Sequence, residues 1–137
     1  MMKKLCLAVA VAAGMMAASC STTPAVVNLG GEWRVVSFDG ESVSDTVRQR
    51  PVMAFNTADS TYHVHTGINL LNGGFHLKGS TLTFGPGAMT MAAGSPDAMR
   101  MERAIVGHLQ QPLTWSMQRD TLCLSVADGN VVLQLVK

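Results

Sequence analysis

The sequence predicts an α+β domain: one mostly antiparallel β-sheet that curls around a single packed α-helix. Three observations carry this. From Leu29 onward, short apolar/polar alternations recur between turn signals such as Asp39-Gly40, Asp59-Ser60 and Asp128-Gly129, the pattern of half-buried strands. Only between Ser95 and Pro112 does the apolar spacing change to three and four, the period of a helix. The length allows one core and not two, and a sheet that curls around a single helix buries both apolar faces economically.

The first element is a leader. Met1-Met2-Lys3-Lys4 is basic, Leu5 to Ala18 is apolar, and Ala17-Ala18-Ser19 are small residues before Cys20. This reads as a secretory signal over residues 1–19, with Cys20 as the site of lipidation and first mature residue. Residues 20–28 form the lipidated Cys and a short tether, and residues 29–137 the domain. The expected location is the bacterial cell envelope, lipid-anchored, at the outer membrane facing the periplasm.

Glu32 to Phe38 reads as the first strand, with Trp33, Val35 and Ser37 on one face and Arg34, Val36 and Phe38 on the other. Ser42 to Arg50 is a polar loop. Pro51 to Asn56 is a strand, with proline at its tolerated first position, and Thr61 to Thr66 is another. Gly67 to Gly74 is rich in turn residues. Phe75 to Leu77 and Thr81 to Phe84 form a hairpin about Lys78-Gly79-Ser80, and Gly85-Pro86-Gly87 is expected to break the sheet. Ala88 to Gly94 is a Met-bearing connection.

The helix begins with Ser95 as N-cap, Pro96 at N1, where its missing N–H costs nothing, and Asp97 complementing the dipole. Ala98, Met101, Ile105 and Leu109 form its apolar stripe, Glu102 lies away from the stripe's centre as a surface or capping partner, and Pro112 marks the end. Three closing strands follow as a meander: Leu113–Met117, Thr121–Val126, with Leu122 and Leu124 on one face and Cys123 on the other, and Val131–Val136. Asp128-Gly129 is the hairpin turn between the last two.

Composition excludes some functions. Loss of Lys3 and Lys4 with the leader turns ten basic residues against nine acidic ones into a slight acidic excess, so no basic footprint for nucleic acid remains. No run after the leader approaches the ~20 apolar residues of a membrane span. Cys123 has no partner left within the processed chain and reads as a half-buried strand residue.

Taken in order, Trp33, Pro51 with Phe55, Gly67-Ile68-Asn69-Leu70-Leu71-Asn72-Gly73-Gly74-Phe75, Leu82-Thr83-Phe84-Gly85-Pro86, Thr90-Met91-Ala92-Ala93-Gly94, and Met99, Glu102, Ile105 and Leu109 resemble the META domain, also called the HslJ-like family. The likeness spans roughly residues 29–136. It implies a small α+β fold with a curved, mostly antiparallel, partly open barrel-like β-sheet packed on one α-helix, an envelope location with loose links to stress and drug tolerance, and no accepted catalytic residues. Two family Cys positions carry Ile68 and Gly94 here. If those Cys pair in relatives, this chain has lost the bridge as a unit.

Candidate chemistry is sparse. His63 and His65 share a strand face, but two imidazoles fall short of the three or four ligands of a zinc site, so no metal is expected. No Gly-x-Ser-x-Gly elbow exposes a nucleophile, and the glycine runs lack phosphate-binding spacing; no catalytic residue, cofactor or enzymatic activity is expected. The candidate binding surface comprises Met89, Met91, Met99 and Met101 at the loop–helix junction, because methionine suits adaptable surfaces as well as cores, together with Asn69 and Asn72. For the asparagines and for Leu70-Leu71 beside them, backbone-bonding turn residues and core are the plain alternatives. The sequence thus points to a non-enzymatic binding or assembly module linked to envelope stress. Its partners would be the membrane, through the N-terminal lipid, and an envelope protein. The alternative is a carrier or sensor of a small hydrophobic ligand held between helix and sheet, in a cavity near Met89–Met101 and Trp33.

Overall fold

A computed structural model describes residues 28–44 and 47–137; Cys20, the leader and most of the tether lie outside the described residues. Alternating sequence becomes nine strands: β1 (Gly31–Phe38), β2 (Glu41–Ser42), β3 (Val52–Asn56), β4 (Thr61–His65), β5 (Leu70–Lys78), β6 (Thr81–Met89), β7 (Leu113–Gln118), β8 (Thr121–Ser125) and β9 (Val131–Val136). The single helix, α1 (Pro96–His108), lies between β6 and β7. Every pairing is antiparallel and follows the order β2-β1-β3-β4-β5-β6-β7-β8-β9.

The antiparallel, barrel-like sheet with one helix is as expected; the partial opening is not. β1 also pairs with β9, from Arg34↔Val136 to Phe38↔Leu133, so eight strands close on themselves. The two-residue β2 extends the edge of β1 above β3. Closure satisfies the backbone groups that two terminal strands would leave exposed.

Irregularities in the ladder explain where simple alternation fails. The register shifts between Val35 and Ser37, and an extra residue there reverses the facing that follows. Phe38 therefore turns into the core with Trp33 and Val35, instead of sharing the face of Arg34. A second shift lies between Gly73 and Phe75. Gly73-Gly74 and Gly85-Pro86-Gly87 are consequently strand interior, not the turn and sheet break expected. A Cβ on Gly73 would stand 2.9 Å from the Tyr62 ring, and one on Gly87 3.0 Å from its hydroxyl. These glycines let two strands pass close over an aromatic ring.

The barrel interior is filled. Trp33, Val35, Met53, Phe55, Val64, Leu82, Leu122, Leu124, Leu133 and Leu135 are all buried, with Phe55 edge-on to Phe75 at 5.5 Å and Tyr62 edge-on to Phe84 at 5.0 Å. At one end Trp33 donates from Nε1 to the Leu29 carbonyl at 2.9 Å, under the Lys137 ammonium. At the other end α1 lies across the mouth and buries Met101, Ile105 and, at its C-cap, Leu109. Ser95 accepts from the Ala98 amide and Pro96 opens the helix, as the capping residues dictate. His108 Nε2 meets Asp39 Oδ1 at 2.6 Å and ties the last turn to the β1–β2 turn.

One seam differs from the rest. β6 pairs with β7 only at Thr81 and Leu82. β7 begins at Leu113, opposite Leu82, so from Thr83 to Met89 the outer edge of β6 pairs with no described strand.

Candidate functional site

The methionines proposed as one surface are dispersed. Met101 is packed in the core, Met89 and Met99 are half-buried, and Met91 is 85% exposed. The chain around them switches from strand to extended connection to helix, so sequence neighbours point in different directions. Trp33 and Met101 both lie in packed core, at opposite ends of the barrel.

Asn69 is 2% exposed, and its side chain is consumed by structure. Its Oδ1 accepts from the Ala92 amide at 2.7 Å and the Thr90 hydroxyl at 2.9 Å. Its Nδ2 donates to the Ala92 carbonyl at 3.0 Å and to Glu102 Oε2 at 2.9 Å. Glu102, expected at the helix surface, turns inward and also accepts from the Thr66 hydroxyl at 2.5 Å. Thr66 is buried and in turn receives the Asn69 amide at 3.0 Å. This network clamps the β4–β5 turn and the connection after β6 onto α1, leaving the Asn69 amide group no capacity for a ligand. Asn72 projects outward from β5, where its Oδ1 contacts His63 Nδ1 on the neighbouring strand. Leu70 is 49% exposed while Leu71 is buried, since consecutive strand residues face opposite ways.

His65 does not complete a metal site with His63. Its Nδ1 accepts from the Gly67 amide at 3.0 Å, and among the described residues no three His, Cys, Asp or Glu side chains converge. Cys123 is fully buried rather than half-buried, and its thiol is free.

The apolar concavity that does exist lies on the irregular seam. Where β6 leaves β7, a groove of about 510 Å³ opens between the strand and α1. Leu71, Phe84 and Met89 from the sheet and Val106 and Leu109 from the helix wall it, Gly85, Pro86 and Gly87 form one lip, and Gln110 stands at the rim. None of its lining side chains is charged. Tyr62 reaches it from β4 beneath the two glycines, and its hydroxyl donates to the Gly85 carbonyl over a long 3.4 Å. Burial pushes that hydroxyl's pKa above the ordinary tyrosine value.

Two larger concavities differ in kind. One, about 740 Å³, lies at the barrel mouth beside the Asp39–His108 pair and Asp128. The other, about 660 Å³, lies at the start of α1 by Arg48, Ile68 and Gly94. The β6–α1 groove differs from both in having no charged side chain in its lining, and it pairs five apolar side chains with the Tyr62 hydroxyl, a mix that suits an organic ligand. Met89 alone among its walls belongs to the predicted surface. Tyr62, Phe84, Val106 and Leu109 come together only through the fold; their signal in sequence is Gly73-Gly74 opposite Gly85-Pro86-Gly87, which reads equally well as turns.

A family model, the META domain, matches residues 26–137. Among solved structures, a protein determined by NMR has 19% identity and a TM-score of 0.63, over 79% of this chain and 89% of that one. A second NMR structure, of a protein from Burkholderia xenovorans, has 19% identity and a TM-score of 0.61, covering 79% and 82%. The crystal structure of a DUF4847 family protein from Bacteroides vulgatus has 12% identity and a TM-score of 0.55, covering 79% and 92%. At these identities the likenesses carry the fold alone. No curated protein matches the chain.

Proposed function

The chain belongs to the META domain family, and on that premise we propose a non-enzymatic binding or assembly module of the HslJ-like kind, lipid-anchored in the bacterial envelope and serving its stress response. The β6–α1 groove is its working surface. The observation that supports binding is the groove of about 510 Å³, without a charged lining side chain, at the unpaired edge of β6.

The leader, with Lys3, Lys4 and Cys20, supports the anchor. β1 starts at the barrel end opposite α1, beside Lys137. A tether over residues 21–27 reaches at most ~25 Å, so the mouth, helix and groove would face away from the bilayer toward the periplasm. Several acyl chains hold where one binds only marginally.

Two measurements test this. Cys20→Ala is expected to release the protein from membrane fractions; unchanged membrane association would sink the anchor. A photo-crosslinking residue placed at Met89 in the full lipoprotein is expected to capture a specific adduct in its own envelope. The same residue at Val131, exposed on another strand, is expected to capture none. Equal capture at both positions would remove the groove from the argument.

A second reading, a carrier or sensor of a small hydrophobic ligand, is favoured by one observation. The groove has the volume of a small-molecule site and a hydroxyl on its floor.

A further inference from the structure

We infer that the β6–α1 groove takes an uncharged, largely apolar molecule bearing one carbonyl-type hydrogen-bond acceptor, and that the Tyr62 hydroxyl is the group that reads this acceptor. The inference rests on the groove being the binding surface and goes on to name what enters it.

Charge comes first. No lining side chain is charged, so an ionised ligand would lose its hydration without a counter-charge, a cost that ordinary apolar contact does not return. The walls supply apolar area from Leu71, Phe84, Met89, Val106 and Leu109. They select for a neutral, greasy body.

Backbone groups of Gly85, Pro86 and Gly87 edge the groove, and the buried polar side chain that lines it is on the floor. Tyr62 is 2% exposed, yet it lines the groove. Its hydroxyl has one partner, the Gly85 carbonyl at 3.4 Å, at the long limit for an O–H donor, whose usual distance is about 2.7–2.8 Å. A donor held so loosely is free to turn to a better acceptor. The space around it is kept by glycine on both strands. A Cβ on either Gly73 or Gly87 would lie 3.0 Å from the hydroxyl oxygen. Larger residues there would press on the oxygen and fill the floor. Gln110, at the rim, is the other polar side chain of the lining and faces water.

The test uses the full chain carrying Cys20→Ala, so that no acyl chain of its own competes. The probes are Prodan, a neutral naphthalene ketone whose emission reports hydrogen bonding, and N-phenyl-1-naphthylamine, neutral but without a carbonyl. Both are expected to bind one per chain. Tyr62→Phe, which keeps the ring, is expected to weaken Prodan by about 2- to 12-fold, the worth of one neutral hydrogen bond. It should also shift bound Prodan's emission to the blue and leave the amine probe unchanged. Equal Prodan affinity and emission in wild type and Tyr62→Phe would overturn the inference while leaving the groove intact. Val106→Glu, and Gln110→Trp at an exposed position as a variant that does not disturb the core, are expected to weaken both probes. If neither variant affects either probe, or if wild type binds neither, the groove reading itself fails.

Discussion

Asn69 joins three segments with one amide group: the β4–β5 turn, the connection that follows β6, and α1 through Glu102. Removing it leaves the Ala92 amide and the Glu102 carboxylate short of partners in a buried place. Asn69→Ala is therefore expected to cost about 2–3 kcal/mol, read as a shift in the urea midpoint at unchanged slope. A loss below ~0.5 kcal/mol would mean that water replaces the amide at little cost. Both residues stand out in the sequence as parts of the family pattern. Their destination does not, because Glu102 reads as a surface helix residue until the turn 33 positions earlier is folded against it. Tyr62 was equally silent. It is the chain's one tyrosine, so phenolate absorbance titrates it alone, and its folded pKa lies above the ordinary 10.0. The folded chain then holds the proton longer than the unfolded chain. That contribution is complete below about pH 10 and is lost as pH rises through the folded value. Tyr62→Phe is expected to flatten this alkaline fall in stability; parallel curves for wild type and variant across that range would assign the fall elsewhere.

Most elements were legible because each rests on a local signal. Ser95, Pro96 and the Met101-Ile105-Leu109 stripe define α1 without any distant contact, and Asp128-Gly129 makes the last hairpin with Gly129 at φ 92°. Illegible features were the bulges, where one added residue reverses inside and outside: Phe38 and the glycine pairs of β5 and β6 were misplaced for that reason. The contact between the β4–β5 turn and the segment before α1 lies between these extremes. Its two family Cys positions are adjacent: a Cβ on Gly94 would stand 2.7 Å from Ile68 Cδ1. A large side chain against a glycine fills the space a bridge would occupy. Ile68→Cys with Gly94→Cys is expected to oxidise to a disulfide and stabilise the domain by about 3.5 kcal/mol on chain-entropy grounds, reversed by reductant. Thiols that stay free after oxidation would show the two segments to be further apart.

At the scale of the molecule, closure was the feature no window of sequence could supply, since it depends on β1 meeting β9 about a hundred residues later. The same closure makes the barrel uneven. Amides in the β1–β9, β8–β9 and β4–β5 ladders are expected to exchange only through global unfolding, whereas those on the outer edge of β6 between Thr83 and Ala88 should exchange orders of magnitude faster. Uniform protection around the barrel, measured by native-state hydrogen exchange, would contradict the open seam. That seam also bears on how the chain behaves when crowded against copies of itself. An unsatisfied strand edge is a template on which another chain can add and propagate. Pro86 stands in the middle of this one without an N–H to offer, and Gly85 and Gly87 on either side are poor strand formers. The stretch that edges the groove thus protects the barrel from aggregation.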